Sequence, residues 1–316
     1  MSRATREAYR DTLLPLLDQH PELICLDTDT GLFSADHAAA AGEQYLNLGI
    51  AEHNLMGIAA GLAACGRIPF VNTMAAFAAS RALEAVKIDI AYNRLPVRIM
   101  ATHGGLSAGH LGPTHQALED LAVLRALPQM TVVVPADAAA TQAFVEQSVS
   151  LPGPLYVRLG RKPSPPLPDA PAPVIGRAQT LRQGDDVVLA CCGPYPVLAC
   201  LAAADTLAGH GVEATVLNLH TLRPLDTRAL VAAARPAPLV VTVEEHWRSG
   251  GLGGAVAEAL AQEAPTRVLR LGMPDRFVDV VGDQEHLLTH YGLTADNVVR
   301  TVRTALDPAA APATTH

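Results

Sequence analysis

Residues 52, 103, 110, 115, 158 and 161 carry the side chains best placed to do chemistry. Tyr45, Leu46, Leu48 and Ile50 form an apolar, strand-like run broken by Gly49, and small and apolar residues at helical spacing begin at 51. Glu52 falls at the joint. A helix N-terminus favours an acid by about 0.3–1 kcal/mol, which is one reading of the residue. The flanks Leu48, Ile50, Leu55, Met56 and Ile58 point to burial, and a buried carboxyl either keeps its proton or serves a defined partner. Gly57 and Gly61, four apart on one helix face, permit another element to approach closely.

Residues 101–121, ATHGGLSAGHLGPTHQALEDL, place His103, His110 and His115 in a glycine-rich loop. Their spacing matches neither a zinc finger nor HExxH, so no metal is assigned to them. A loop at the carboxyl end of a parallel strand is where ligands bind in such sheets; solvated histidines are the alternative. Residues 114–116 are expected to open the next helix. Arg158 and Arg161 follow the last apolar run of this half. Arginine suits bidentate phosphate binding, and a solvated strand end is the alternative. GGLGG at 250–254 lacks the full dinucleotide fingerprint and its following acid, so tight helix–sheet packing explains it better.

Positioning these side chains requires a sheet. Strand-like runs at 22–27, 68–72, 97–101, 131–134 and 155–159 alternate with helix-period segments at 51–65, 75–93, 115–127 and 138–148. Continuous apolar runs such as TVVV imply parallel strands covered on both faces. RKPSPPLPDAPAP, residues 161–173, holds six prolines and reads as an extended linker. Alternation then restarts, with strands at 187–191, 214–218, 239–243 and 267–271 and helices at 196–208, 227–234, 252–262 and 294–306. The reading is two three-layer α/β domains with mainly parallel sheets: 1–162, a linker at 163–175, 176–308, and a disordered tail at 309–316.

The chain has 316 residues, 49% hydrophobic and 17% charged, enough for two cores. A net charge of −8 without a basic block argues against nucleic acid or an anionic membrane as partner. Five cysteines without CxxC spacing read as reduced, buried thiols of a cytoplasmic protein. The N-terminal segment lacks a signal-peptide pattern, and no run is long enough to span a bilayer.

Taken in order, these segments resemble the C-terminal half of transketolase, as the small subunit of a split, two-chain enzyme. LGIAEHNLMGIAAGLAACG resembles the cofactor-glutamate motif, and NTMAAFAASRALEAVK the aromatic cofactor wall. The segment from Ala101 to Asp137 resembles the substrate loop and the helix after it, and LYVRLGRKP the phosphate-arginine segment. TLRPLD and VEEHWRSGGLGGAVAE resemble the C-terminal domain. The resemblance implies that Glu52 hydrogen-bonds N1′ of the aminopyrimidine of thiamine diphosphate, favouring the tautomer that removes the thiazolium C2 proton. Phe77 matches the ring-stacking position, and Met74 stands where a second aromatic is common. Asp29 and Arg81 fall at cofactor-side positions. His103 and His115 match substrate-side histidines, and Arg161 the arginine that grips the substrate phosphate. Leu111 replaces an aspartate that touches a substrate hydroxyl, and His110 beside it is a candidate substitute.

No GDG…N segment for the diphosphate and its Mg²⁺ (or Ca²⁺) occurs in this chain. The resemblance therefore implies a larger, diphosphate-binding partner subunit and an α2β2 heterotetramer. The implied activity is transfer of a two-carbon ketol unit from a phosphorylated ketose to an aldose. The β subunit of a 2-oxoacid dehydrogenase and a 1-deoxyxylulose-phosphate-synthase-like condensing enzyme share the plan and are the alternatives. A scaffold without chemistry would have no use for Glu52, Phe77, His103, His115 and Arg161 together.

Overall fold

The computed structural model of the protein describes residues 2–167 and 170–307. The first half runs β1 (Arg3–Ala4), α1 (Thr5–Gln19), β2 (Leu23–Asp27), α2 (Ala35–Ala41), β3 (Tyr45–Asn47) and α3 (Glu52–Ala64). It continues through β4 (Ile68–Met74), α4 (Ala75–Ala78), α5 (Leu83–Ala85) and a π-helical stretch, Val86–Ala91. Then come β5 (Arg98–Thr102), α6 (Asp120–Ala126), β6 (Thr131–Val133), α7 (Ala138–Ser148), β7 (Leu155–Arg158) and β8 (Pro163–Ser164). The second half has β9 (Gln179–Arg182), β10 (Val187–Cys191), α8 (Pro194–Ala208), β11 (Ala214–Asn218), β12 (Thr221–Arg223) and α9 (Thr227–Ala234). It ends with β13 (Leu239–Trp247), α10 (Leu252–Glu263), β14 (Arg267–Met273), α11 (Gln284–His290) and α12 (Ala295–Leu306).

Two sheets organise these elements. The first has the order β12-β6-β7-β5-β4-β2-β3, the second β14-β13-β10-β11-β9. All pairings in the first are parallel except β12 with β6, and all in the second except β9 with β11. Helices cover both faces, so β2, β5, β7 and β10 are buried at every residue. That is why they read as unbroken apolar runs rather than alternating ones. Each half is thus a mainly parallel α/β layer structure.

β12 belongs in sequence to the second half but completes the sheet of the first, clasping the halves together. β13 continues past residue 243, where an end was expected, to Trp247, and residues 239–246 are all buried. Four further expectations change. The run at 45–50 is an edge strand of three residues, with Leu46 42% and Ile50 71% exposed, whereas Glu52, Leu55 and Met56 on the helix side of the joint are buried as expected. The helix expected over 75–93 breaks after Ala78, where the Ser80 hydroxyl donates back to the Ala76 carbonyl at 2.5 Å, a competitor of the helical ladder. The helix expected from 115 opens only at Asp120, because Gly105 and Ala117 exchange backbone hydrogen bonds of 2.9 and 3.2 Å across the loop. Cys65 is exposed, unlike Cys25, Cys191, Cys192 and Cys200. The tail at 309–316 lies outside the described residues.

Candidate active site

Gly49 adopts a left-handed φ of 65° after β3, and its amide donates to the Asn47 side chain at 2.8 Å. This turn swings the chain from the sheet edge into α3, a helix of 13 residues whose first is Glu52. Glu52 is 3% exposed, and the Arg81 guanidinium donates to its Oε2 at 2.6 Å. Arg81 itself is half exposed and lies over the Phe77 ring, 4.5 Å from its centroid. The opposite neighbour of Phe77 is His115, edge-on with centroids 5.4 Å apart. A buried carboxylate, a flat cation, an aromatic face and an imidazole thus form one contiguous group from α3, the 77–81 segment and the loop after β5. Met74 is half-buried at the end of β4, the strand that leads into Phe77.

His103 follows β5 with φ of 63° and is 2% exposed. Burial, reinforced by the charges of Arg161, Arg6 and His115, drives its pKa down to about 3. Its ring is neutral at physiological pH, and Nδ1 is buried with no hydrogen-bond partner among the described residues. An orphaned polar atom of this kind is unusual in a finished core and suits a ligand-facing position. Arg161 is half-buried, and His103 feels its charge. His115 is half-buried, with Nδ1 2.9 Å from the Thr114 hydroxyl.

Other expected residues stand apart. His110 and Leu111 are exposed on a short turn, Gly109–Leu111, whose neighbours are Val281 and Gly282 of the second half. Asp29 is exposed at the end of β2, and no hydrogen bond or ion pair holds it among the described residues. The anchored acid there is Asp27, which accepts from Tyr45 Oη at 2.7 Å and from the Asn72 side chain; burial raises its pKa. Arg158 is neither solvated nor open to a phosphate. It is buried, donates to the carbonyls of Ala117 and Glu245, and pairs with Asp120 at 3.0 Å. GGLGG is packing: a Cβ on Gly253 would stand 2.8 Å from the Thr242 hydroxyl, and one on Gly251 would collide with Glu244. Sequence reasoning missed Arg6, Asp27 and Asn72, and Glu245. Two consecutive acids in the run VVTVEEHW were the available signal for the last.

Among the described residues no group of three or more His, Cys, Asp or Glu side chains is placed to hold a metal, and no helix is long and apolar enough to cross a membrane.

Two mainly parallel α/β layer halves are clasped through β12, and a buried acid stands beside an aromatic face. Residues 1–165 match the family described as transketolase, pyrimidine binding domain, and residues 176–298 match transketolase, C-terminal domain. One of the subunits of the apulose-4-phosphate transketolase of Phocaeicola vulgatus is 38% identical over 302 residues, covering 94% of this chain and 96% of that one. The 6-deoxy-6-sulfo-D-fructose transketolase subunit SqwH of a Clostridium species is 37% identical, covering 93% and 92%. A solved structure described as a split gene transketolase, inactive beta4 tetramer, superposes with a TM-score of 0.86 at 44% identity, covering 97% and 99%. The chain belongs to the transketolase family.

Proposed function

We propose that this chain is the pyrimidine-binding subunit of a two-chain, thiamine-diphosphate-dependent transketolase. It moves a two-carbon ketol unit from a phosphorylated ketose to an aldose. A larger subunit supplies the diphosphate and Mg²⁺ (or Ca²⁺) site, in an α2β2 assembly. The observation that carries the reading is the guanidinium of Arg81, a flat cation hydrogen-bonded to buried Glu52 and lying over Phe77. It stands in for a planar, protonated heteroaromatic ring held by the same carboxylate and the same aromatic face. The residues therefore fit an aminopyrimidine, with Glu52 and Phe77, flanked by Met74, holding the ring.

The coenzyme, when bound, supplies the nucleophilic carbon and electron sink for breaking and making the carbon–carbon bond. Glu52 keeps a proton at the ring nitrogen it faces, and burial removes the water that would compete for it. His103 is neutral, so it can donate or accept a proton at a sugar hydroxyl without first losing charge. His115 closes the same wall through Phe77. Arg161 and Arg6 make this end of the site positive, suited to an anionic sugar tail. Leu111 offers no hydrogen bond to an acceptor hydroxyl, which favours substrates outside the common pentose and hexose phosphates.

Glu52 also sits at the root of an exposed face. Ile50, Ile88 and Tyr92 are 71%, 48% and 81% exposed, and α3 packs beside residues 86–91. Exposed apolar groups of this size beside α3 suit a protein partner. The test is to reconstitute the chain with a GDG…N-containing larger subunit, thiamine diphosphate and Mg²⁺ and assay transfer across a panel of ketose phosphates. Transfer that disappears in Glu52→Gln supports the reading. Pyruvate consumption in place of ketose cleavage would overturn it in favour of a decarboxylating relative.

A further inference from the structure

The end of β13 carries a carboxylate for which the site described above has no use. Glu245 is 7% exposed, and its side chain leaves the second half to accept the Leu106 amide, near the start of the 103–119 loop, at 2.6 Å. The Gln284 side-chain NH2, from the first residue of α11, donates to both of its oxygens at 2.8 and 3.0 Å. Both partners are donors, so the position needs two acceptor oxygens turned toward them. A glutamine there would turn its own NH2 toward that of Gln284. The fit is close: Gly105 has φ of 63°, and a Cβ added to it would lie 2.7 Å from Glu245 Oε1.

The same strand end grips the loop elsewhere. The Trp247 amide donates to the Leu118 carbonyl at 2.9 Å, and the Ala122 amide donates to His246 Nε2 at 3.2 Å. Arg158 spans the Ala117 and Glu245 carbonyls, and Asp120 accepts from Tyr156 Oη at 2.6 Å. His103 lies three residues before Leu106 and His115 two before Ala117, so both imidazoles hang from points this strand fixes.

We propose that Glu245, held by Gln284, is a positioning residue of the second half that locks the 103–119 loop and thereby sets the places of His103 and His115. The second half then takes part in catalysis without touching the substrate. The lock stands on its own geometry; its catalytic consequence rests on the ketol-transfer reading.

Amide hydrogen exchange on the full chain tests the lock without a partner subunit. In Glu245→Ala, exchange over 104–118 should accelerate about tenfold or more, with 52–64 and 71–77 unchanged. Glu245→Gln, which keeps an acceptor for Leu106 but turns an NH2 toward Gln284, should restore part of the protection. Gln284→Met, which keeps the volume and removes the donors, should loosen the loop partly and decides the matter if Glu245→Ala does not fold. Wild-type exchange over 104–118 in Gln284→Met and Glu245→Ala, or acceleration spread evenly along the chain, overturns the proposal. In the reconstituted complex Glu245→Ala should raise the sugar KM about tenfold while thiamine diphosphate affinity stays within about twofold. Equal loss of both would mark a merely structural role. If the wild-type complex transfers no ketol unit, the proposed function fails while the exchange result still judges the lock.

Discussion

Replacing Glu245 by glutamine should remove one contribution to the pH dependence of the protein's stability. Burial pushes the Glu245 carboxyl up to about 7 from an ordinary value of 4.5, against the pull of Arg158, Leu106 and Gln284. The native state therefore holds a proton over a range in which the unfolded chain has lost it. That contribution is fully present below 4.5 and is lost as pH rises through 7. Between about pH 5 and about pH 8 the loss comes to about 2–3 kcal/mol. Glutamine cannot titrate, so the difference in unfolding free energy between variant and wild type should shift by about 2–3 kcal/mol toward the variant over that interval. Any constant packing cost cancels in this comparison. The charged and titratable groups that face Glu245, Arg158 on β7, Asp120 on α6 and Tyr195 on α8, are common to both proteins. His103, His220 and His246, lowered to about 3, 4 and 4, act in the opposite sense below their unfolded values, equally in both. Denaturant melts at a series of pH values measure the quantity. Parallel pH profiles for the two proteins would refute the assignment of a buried, proton-holding carboxyl.

Glu52→Gln should lower ketol transfer by about 10²–10⁴-fold in the reconstituted enzyme, whereas Arg81→Ala, which strips the buried Glu52 carboxylate of its ion-pair partner, should destabilise the chain by about 1–3 kcal/mol; steady-state kinetics and denaturant melts check the two. The His103 ring should show no protonation step above about pH 4 in an NMR titration, since its pKa is lowered to about 3, and its share of stability should be present above 6.5 and fade as pH falls. Gly105→Ala should destabilise by at least about 1 kcal/mol, because alanine is strained at positive φ and its Cβ would press on Glu245; a calorimetric melt measures it.

The chain's own order of residues determined a great deal. Continuous apolar runs located the central strands, because a strand buried on both faces can hold almost nothing else. The proline-dense segment marked the passage between halves, and short motifs placed Glu52, Phe77, His103, His115 and Arg161 on the chain. Tertiary structure decided what those side chains meet. Glu52 meets Arg81, 29 positions away, and Arg158 reads as a phosphate gripper until the second half buries it. The clasp of β12 on β6, the late start of α6 and the reach of Glu245 to Leu106 across 139 positions all join segments with no local signature. Hydrogen-bond partners so far apart are chosen by packing of the two halves, and no periodicity along the chain encodes that choice.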